Sequence, residues 1–189
     1  YRCFLKSCNY GCYYCPFSKN KQSQAELAAD KKYLNQFVER ILTLRPSQPL
    51  KILFTPYGEG LVHGYYQDAM IRLSQIDFIE AISIQTNFSL KADTFSARLH
   101  AHCVPLHKIK LWISFHPSEI TLEKFLQNYQ KLDTRIQVTL GAIADPKHIE
   151  VLQQLKTMLK PSDYLFVNAM EGLKIPYTPT DIAAFTDID

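Results

Sequence analysis

The sequence predicts an α/β fold, an open partial (β/α)6 barrel with parallel strands inside and helices outside. Three observations carry this. Short β-type runs alternate with helical runs in six units along the 189 residues, and regular alternation favours parallel strands joined by right-handed crossovers. Several strands place polar residues on one face and apolar residues on the other. A sheet buried on both faces would instead give near-continuous apolar runs, and a closed eight-stranded barrel fills its interior with branched apolar layers. Six units are also too few to close the usual eight-stranded barrel. The polar ends of the strands should therefore mark the active face.

The first unit is a strand at 1–7 (YRCFLKS) and a helix over 24–44. Ser23 and Glu26 stand in capping-box order before that helix, and Leu27, Leu34, Val38 and Ile41 form its apolar stripe. The second is a strand at 50–57 (LKILFTPY), with Thr55 and Tyr57 on one face, and a helix near 64–75. In the third, Ser83, Gln85 and Asn87 share a face of the strand at 81–88 (AISIQTNF), and a shorter helix follows near 93–101. The fourth pairs 109–117 (IKLWISFHP), with Ser114 and His116 on one face, with a helix at 121–132. The fifth strand, 135–143 (RIQVTLGAI), sets Gln137, Thr139 and Gly141 opposite Ile136, Val138 and Leu140. Asp145-Pro146 then supplies an N-cap and first helical position for a helix reaching Lys160. The sixth strand, 163–170 (DYLFVNAM), leads to a proline-rich loop and a helix beginning at PTDIAAF.

A hydrophobic content of 47% at this length suits a single globular domain with a sizeable core. The net charge of +3 is too small and too scattered to indicate nucleic acid or an anionic membrane as partner. No apolar run approaches the roughly 18 residues that span a bilayer, and no secretory order of segments is present. The chain starts on Tyr1 rather than Met and ends on AAFTDID, so residues 1–189 are expected to be one domain of a longer protein lacking a C-terminal segment. Five cysteines make an odd number, and pairing among the three that cluster would strain the backbone. A reducing cytoplasm is expected, with the cluster serving as a metal ligand.

That cluster is SCNYGCYYCPF, with Cys8, Cys12 and Cys15 at spacings of four and three. Thiolates hold iron–sulfur clusters, usually four for a cubane, so three would leave one iron with an open position. An incomplete shell of this kind is where a substrate or cofactor reaches a catalytic metal. Gly11 offers the positive φ that a tight wrap often needs, and loop amides can hydrogen-bond to sulfides. The competing reading of the cysteines is a structural zinc site completed by Cys103 or by His100, His102 or His107, and the competing class is a non-catalytic iron–sulfur or zinc protein for electron transfer or assembly. Zinc sites usually take ligands as two close pairs, and the sequence has no second Cys-x2-Cys. Cys3 reads as a small core hydrophobe and Cys103 as ordinary packing. The three histidines read as a solvated helix end and loop.

The pattern Cys8-x3-Cys12-x-Tyr14-Cys15, following a first strand and with an aromatic residue before the last cysteine, resembles the signature of radical S-adenosylmethionine (radical SAM) enzymes. Their fold is commonly a partial (β/α)6 barrel. The likeness runs from about residue 1 to 170 and is nearest to a small bacterial subgroup. It implies a [4Fe–4S] cluster on Cys8, Cys12 and Cys15, whose fourth iron is chelated by the amino and carboxylate groups of S-adenosylmethionine. TPYGEG resembles the Gly-Gly-Glu motif that contacts the methionine amino group, which places Gly58 and Glu59 there, with Tyr57 in place of the first glycine. QTN resembles the Thr-Asn ending of the third strand and contributes Asn87. Ser114 stands where a polar side chain often meets the ribose, and Tyr14 joins the cofactor-binding set. TLGAIAD loosely resembles the Gly-x-Ile-x-Gly segment beneath adenine, with Asp145 at the second glycine.

The resemblance further implies one-electron reduction of the sulfonium, giving methionine and a 5′-deoxyadenosyl radical that takes hydrogen from a small-molecule or peptide substrate. An external electron donor such as flavodoxin or ferredoxin is the implied partner. Tyr13 and Tyr14 are expected to shield the cluster. Tyr57, Gln85, Asn87, His116, Asn168 and Glu171 are expected at the lumen or its rim, with no residue assigned to proton transfer. Taken alone, these residues have plainer readings. Glu59 fits a solvated first-turn acid, Asn87 a turn residue, Ser114 a pleat residue, and His116 a loop cap before Pro117.

Overall fold

A computed structural model describes residues 1–2, 4–17, 20–160, 163–170 and 176–189. Five strands, β1 (Leu50–Phe54), β2 (Ile79–Thr86), β3 (Ile109–Phe115), β4 (Gln137–Ala144) and β5 (Leu165–Ala169), lie parallel in chain order. The sheet curls into a half-barrel. Around it run α1 (Gln24–Leu42), α2 (Gly64–Ser74), α3 (Ala92–Ala101), α4 (Leu122–Tyr129), α5 (Ile149–Met158) and α6 (Pro179–Ile188). The architecture is that of a partial barrel, with five strands among the described residues where six were expected. No described helix is long and apolar enough to cross a membrane.

β3 shows how the alternation builds two different faces. Ile109, Leu111, Ile113 and Phe115 are buried against the helical layer, where the Phe115 ring lies 4.8 Å from Phe125 of α4. Each such side chain contributes roughly 1.5–3 kcal/mol by leaving water. Lys110, Trp112 and Ser114 point the other way and keep solvent contact. The same division holds on β2, where Ile82, Ile84 and Thr86 are buried while Ser83 and Gln85 are not.

Helix starts follow the local sequence closely. Glu26 Oε2 accepts from the Ser23 amide at 2.7 Å and Ser23 Oγ accepts from the Glu26 amide at 3.3 Å, completing the expected capping box. Leu34, Val38 and Ile41 are buried, and Leu27 packs against the core at their edge. Asp145 caps a 3-10 turn over Pro146–His148 rather than α5 itself, which begins one residue later. Thr178 and Asp181 repeat the box at α6.

The expected first strand is a correction. Residues 1–7 contain no strand among the described residues, and Cys3 lies outside them. The segment runs parallel to the outer edge of β1. Tyr1 O accepts from Thr55 N, and Ser7 O accepts from Glu59 N. Between them, Leu5 O takes both the Tyr57 and the Gly58 amides, at 3.1 and 3.2 Å. Two amides on one carbonyl break the regular repeat of a parallel ladder. β1 itself ends at Phe54, where its pairing with β2 ends, rather than at Tyr57.

Cys103 follows α3 with φ 50°, a left-handed conformation usually left to glycine. Its amide donates to His100 O at 2.9 Å and that of Val104 donates to Leu99 O at 3.0 Å. This is a Schellman motif with cysteine at the glycine position, sealed by buried Val104 and Leu99. The side chain is exposed. Cys103→Gly should therefore raise stability by about 0.5–1 kcal/mol, read as a higher urea midpoint. A lower midpoint would refute this.

Candidate functional site

The ends of β1, β2 and β3 meet the cysteine loop around a cavity of about 160 Å³. Cys8, Cys12 and Cys15 line it together with Gly58, Glu59, Asn87 and Ser114, so one hollow gathers all but one of the site residues expected from the sequence. Tyr57, Gln85 and His116, expected at the rim, also line it. The exception is Tyr14, which stands beside Cys12 with its hydroxyl 2.7 Å from His116 Nδ1. Asn168 is exposed on β5, and Glu171 lies outside the described residues.

Glu59 is 2% exposed, so it is not the solvated first-turn acid that its sequence position allowed. Its Oε1 accepts from Leu61 N at 2.8 Å and from Thr86 Oγ1 at 2.9 Å, and its Oε2 accepts from Asn87 N at 2.6 Å. Burial pushes the carboxyl from its ordinary 4.5 up to about 7, and the three donors hold it back from rising further. Between those two values the folded protein keeps a proton that the unfolded chain has released. The contribution of Glu59 to stability therefore falls as pH rises from about 4.5 to 7 and levels off above, by an amount on the order of 3 kcal/mol. Buried His116, whose pKa is lowered to about 4, contributes the opposite slope below about 6.5, so the Glu59 share is read as a difference: from pH 5 to 8 the urea midpoint of Glu59→Gln should rise relative to that of the unsubstituted protein. An unchanged slope in the variant would assign the effect elsewhere.

Asn87 is both a turn residue and part of the site. Its Oδ1 accepts from Ser89 N at 3.0 Å, while its Nδ2 donates to Asn9 Oδ1 at 3.0 Å and to Cys8 Sγ at 3.6 Å. The next residue, Phe88, has φ 56° and a buried ring. A bulky residue in this region costs on the order of 1–3 kcal/mol and persists only where its surroundings enforce it. Thr86 Oγ1, 3.0 Å from Phe88 N, is one such restraint, and the bend aims Asn87 at the cysteine loop.

Gly58 lines the cavity and also seats the chain. A Cβ there would lie 1.9 Å from the Ser7 carbonyl oxygen, so the backbone just before Cys8 rests directly on this glycine. The loop is also tied from across the chain. Gly11 N donates to Glu119 Oε2 at 3.0 Å, and Tyr13 donates to buried Asp145. The second-glycine position of the fifth-strand segment is thus occupied by an acid that anchors the loop.

His116 Nδ1 lies 3.5 Å from Cys12 Sγ, and the ring stacks near Tyr14. Burial lowers its pKa to about 4, so it is neutral near pH 7. Cys12 is pushed up to about 11 and Cys8 is raised, chiefly by burial, with Cys15 adding charge repulsion to each. The three thiols are therefore neighbours. Among the described residues, however, no group of three or more His, Cys, Asp or Glu side chains is disposed to hold a metal ion. The three sulfurs that the sequence leads one to expect together stand around one cavity. His100 pairs with Asp133 at 2.8 Å on the surface, and His102 and His107 are exposed. Neither they nor Cys103 reach the cavity.

Comparison with models of known protein families and with curated proteins finds no match to this chain.

Proposed function

We propose that this domain is a radical S-adenosylmethionine enzyme core, with a [4Fe–4S] cluster on Cys8, Cys12 and Cys15. The observation that carries the proposal is the single cavity shared by these thiols with Glu59, Asn87 and Ser114, drawn from the loop and three strand ends. The donor set fits the group. Three neighbouring thiols match three irons of a cubane, each iron taking its own ligand, whereas a single zinc needs its ligands to meet at one point. Both thiols with raised pKa would ionise on binding iron, as thiol ligands do.

When bound, the cluster and S-adenosylmethionine would supply reductive cleavage of the sulfonium to methionine and a 5′-deoxyadenosyl radical. The chain's own residues do the holding. Glu59 is the one acid among the described cavity residues, and it would accept from the methionine ammonium. That cation would draw the proton off Glu59, so cofactor binding should tighten as pH rises from 6 to 8. Asn87 fixes the first cysteine through its amide, and Ser114 offers a hydroxyl on the cavity wall. A cluster of thiols suits a reducing cytoplasm, an external donor such as flavodoxin or ferredoxin would supply the electron, and the substrate is a small molecule or peptide.

Anaerobic reconstitution with iron and sulfide should give a brown protein whose reduced EPR signal changes on adding S-adenosylmethionine. A colourless protein holding stoichiometric zinc would overturn the proposal. A brown protein whose signal ignores the cofactor would favour electron transfer or assembly.

A further inference from the structure

The concave face of the sheet continues from the cavity toward the other end of the strands. Gln85 and Ser114 line the cavity, and Trp112 sits beside Gln85 on β2 and Thr139 on β4 in the strand register, two residues along β3 from Ser114. Two residues further along lies Lys110, between Ser83 and Gln137. These rows combine an indole with hydroxyls and amides, and hold one positive charge and no acid.

Two features of this surface need an occupant. Trp112 is 39% exposed in the middle strand of the sheet, where its partners on the opposite face are fully buried. An indole left facing an open concavity, flanked by short polar side chains, is a flat stacking platform. Among the described residues, no hydrogen bond or ion pair engages the Lys110 ammonium, although its side chain is half-buried. A cation with no counter-charge among the described residues, beside hydroxyl and amide groups, is the complement of an anion. The Cα atoms of Trp112 and Lys110 are set about 7 Å apart by the rise of the strand.

We propose that this face binds the substrate, and that the substrate is a small molecule with a planar unsaturated ring and an anionic substituent. The ring stacks on Trp112, the anion pairs with Lys110, and the end of the molecule nearest Ser114 reaches the cavity. The proposal rests on the function proposed above for the site as one that acts on a substrate, but its chemistry is read from residues that hold neither cluster nor cofactor.

Trp112 is the sole tryptophan in the chain, so its emission reports directly on this surface. Phenylacetate titrated into the iron-free protein should shift that emission saturably. Phenylacetamide, which keeps the ring and loses the charge, should bind about tenfold more weakly, the loss expected for one charge-assisted hydrogen bond. Cyclohexylacetate, which keeps the charge and loses the flat face, should also bind more weakly. Lys110→Gln, checked by circular dichroism for native fold, should bind phenylacetate and phenylacetamide equally. A non-saturating response, equal affinity of the three probes for the unsubstituted protein, or undiminished discrimination in Lys110→Gln would overturn the proposal. Because these titrations need no iron, their failure is separable from a failed reconstitution. A brown, cofactor-responsive protein without phenylacetate binding removes the substrate class alone.

Discussion

Cys12→Ala abolishes 5′-deoxyadenosine formation and the brown chromophore of the reconstituted protein, while Cys103→Ala leaves both intact; that is the expected result with the largest effect on activity. Cys12 is 3% exposed, lines the cavity and touches His116, so its thiol has no role at the surface. Removing it leaves two of three ligands for the cluster, and two thiolates do not hold a cubane against chelators. Cys103 closes the Schellman turn behind α3, where alanine pays the same left-handed strain as cysteine. Cluster content by iron assay and product by chromatography check both variants. Equal losses would move Cys103 into the ligand set and favour a four-thiolate site.

Gly58→Ala should have the largest effect on the architecture of the site. The new methyl would meet Ser7 O at 1.9 Å and Ser7 C at 2.5 Å, both backbone atoms that no rotamer change can move aside. The segment leading into Cys8 must retreat from β1, which loosens the bonds from Leu5 O and Ser7 O to the β1 end. A stability loss of about 3 kcal/mol is expected, at the upper range for overpacking, together with loss of iron incorporation. Gly64→Ala is the control. Its Cβ would meet only an Arg98 guanidinium nitrogen at 3.8 Å, an ordinary contact, and alanine favours the helix it begins. If Gly58→Ala folds and binds iron like Gly64→Ala, the close approach is not what seats the cysteine loop.

Much of this was legible because its causes are local. Ser23 and Glu26 announce α1 within four residues, the alternation of β3 separates Ile109 from Lys110, and the thiol spacing is written in one loop. Burial and long-range pairing were less legible. Nothing adjacent to Glu59 says that Thr86 and Asn87 will surround it, so a solvated helix start was an equally natural reading. The contact of His116 with Cys12 joins residues 104 apart in sequence. Gly58 was visible as part of a motif, but its reason for being glycine lies in the backbone of Ser7. The strand-like run at 1–7 was legible and its irregular pairing was not, because one carbonyl serving two amides leaves no sequence trace. The end of the third helix was legible near residue 101, but the Schellman turn at Cys103 was not, because glycine, its usual marker, is absent.

The two ties on the cysteine loop bear on the order in which the chain folds. Gly11 waits for Glu119 and Tyr13 waits for Asp145, partners 108 and 132 residues away. Contacts of such separation close late, after the local helices and neighbouring strand pairs have formed. Until β4 is in place, the loop lacks its anchor at Asp145 and its thiols stand open to oxidants. Under the proposed function, loading with iron would be a race against oxidation, run while the last third of the domain is still folding.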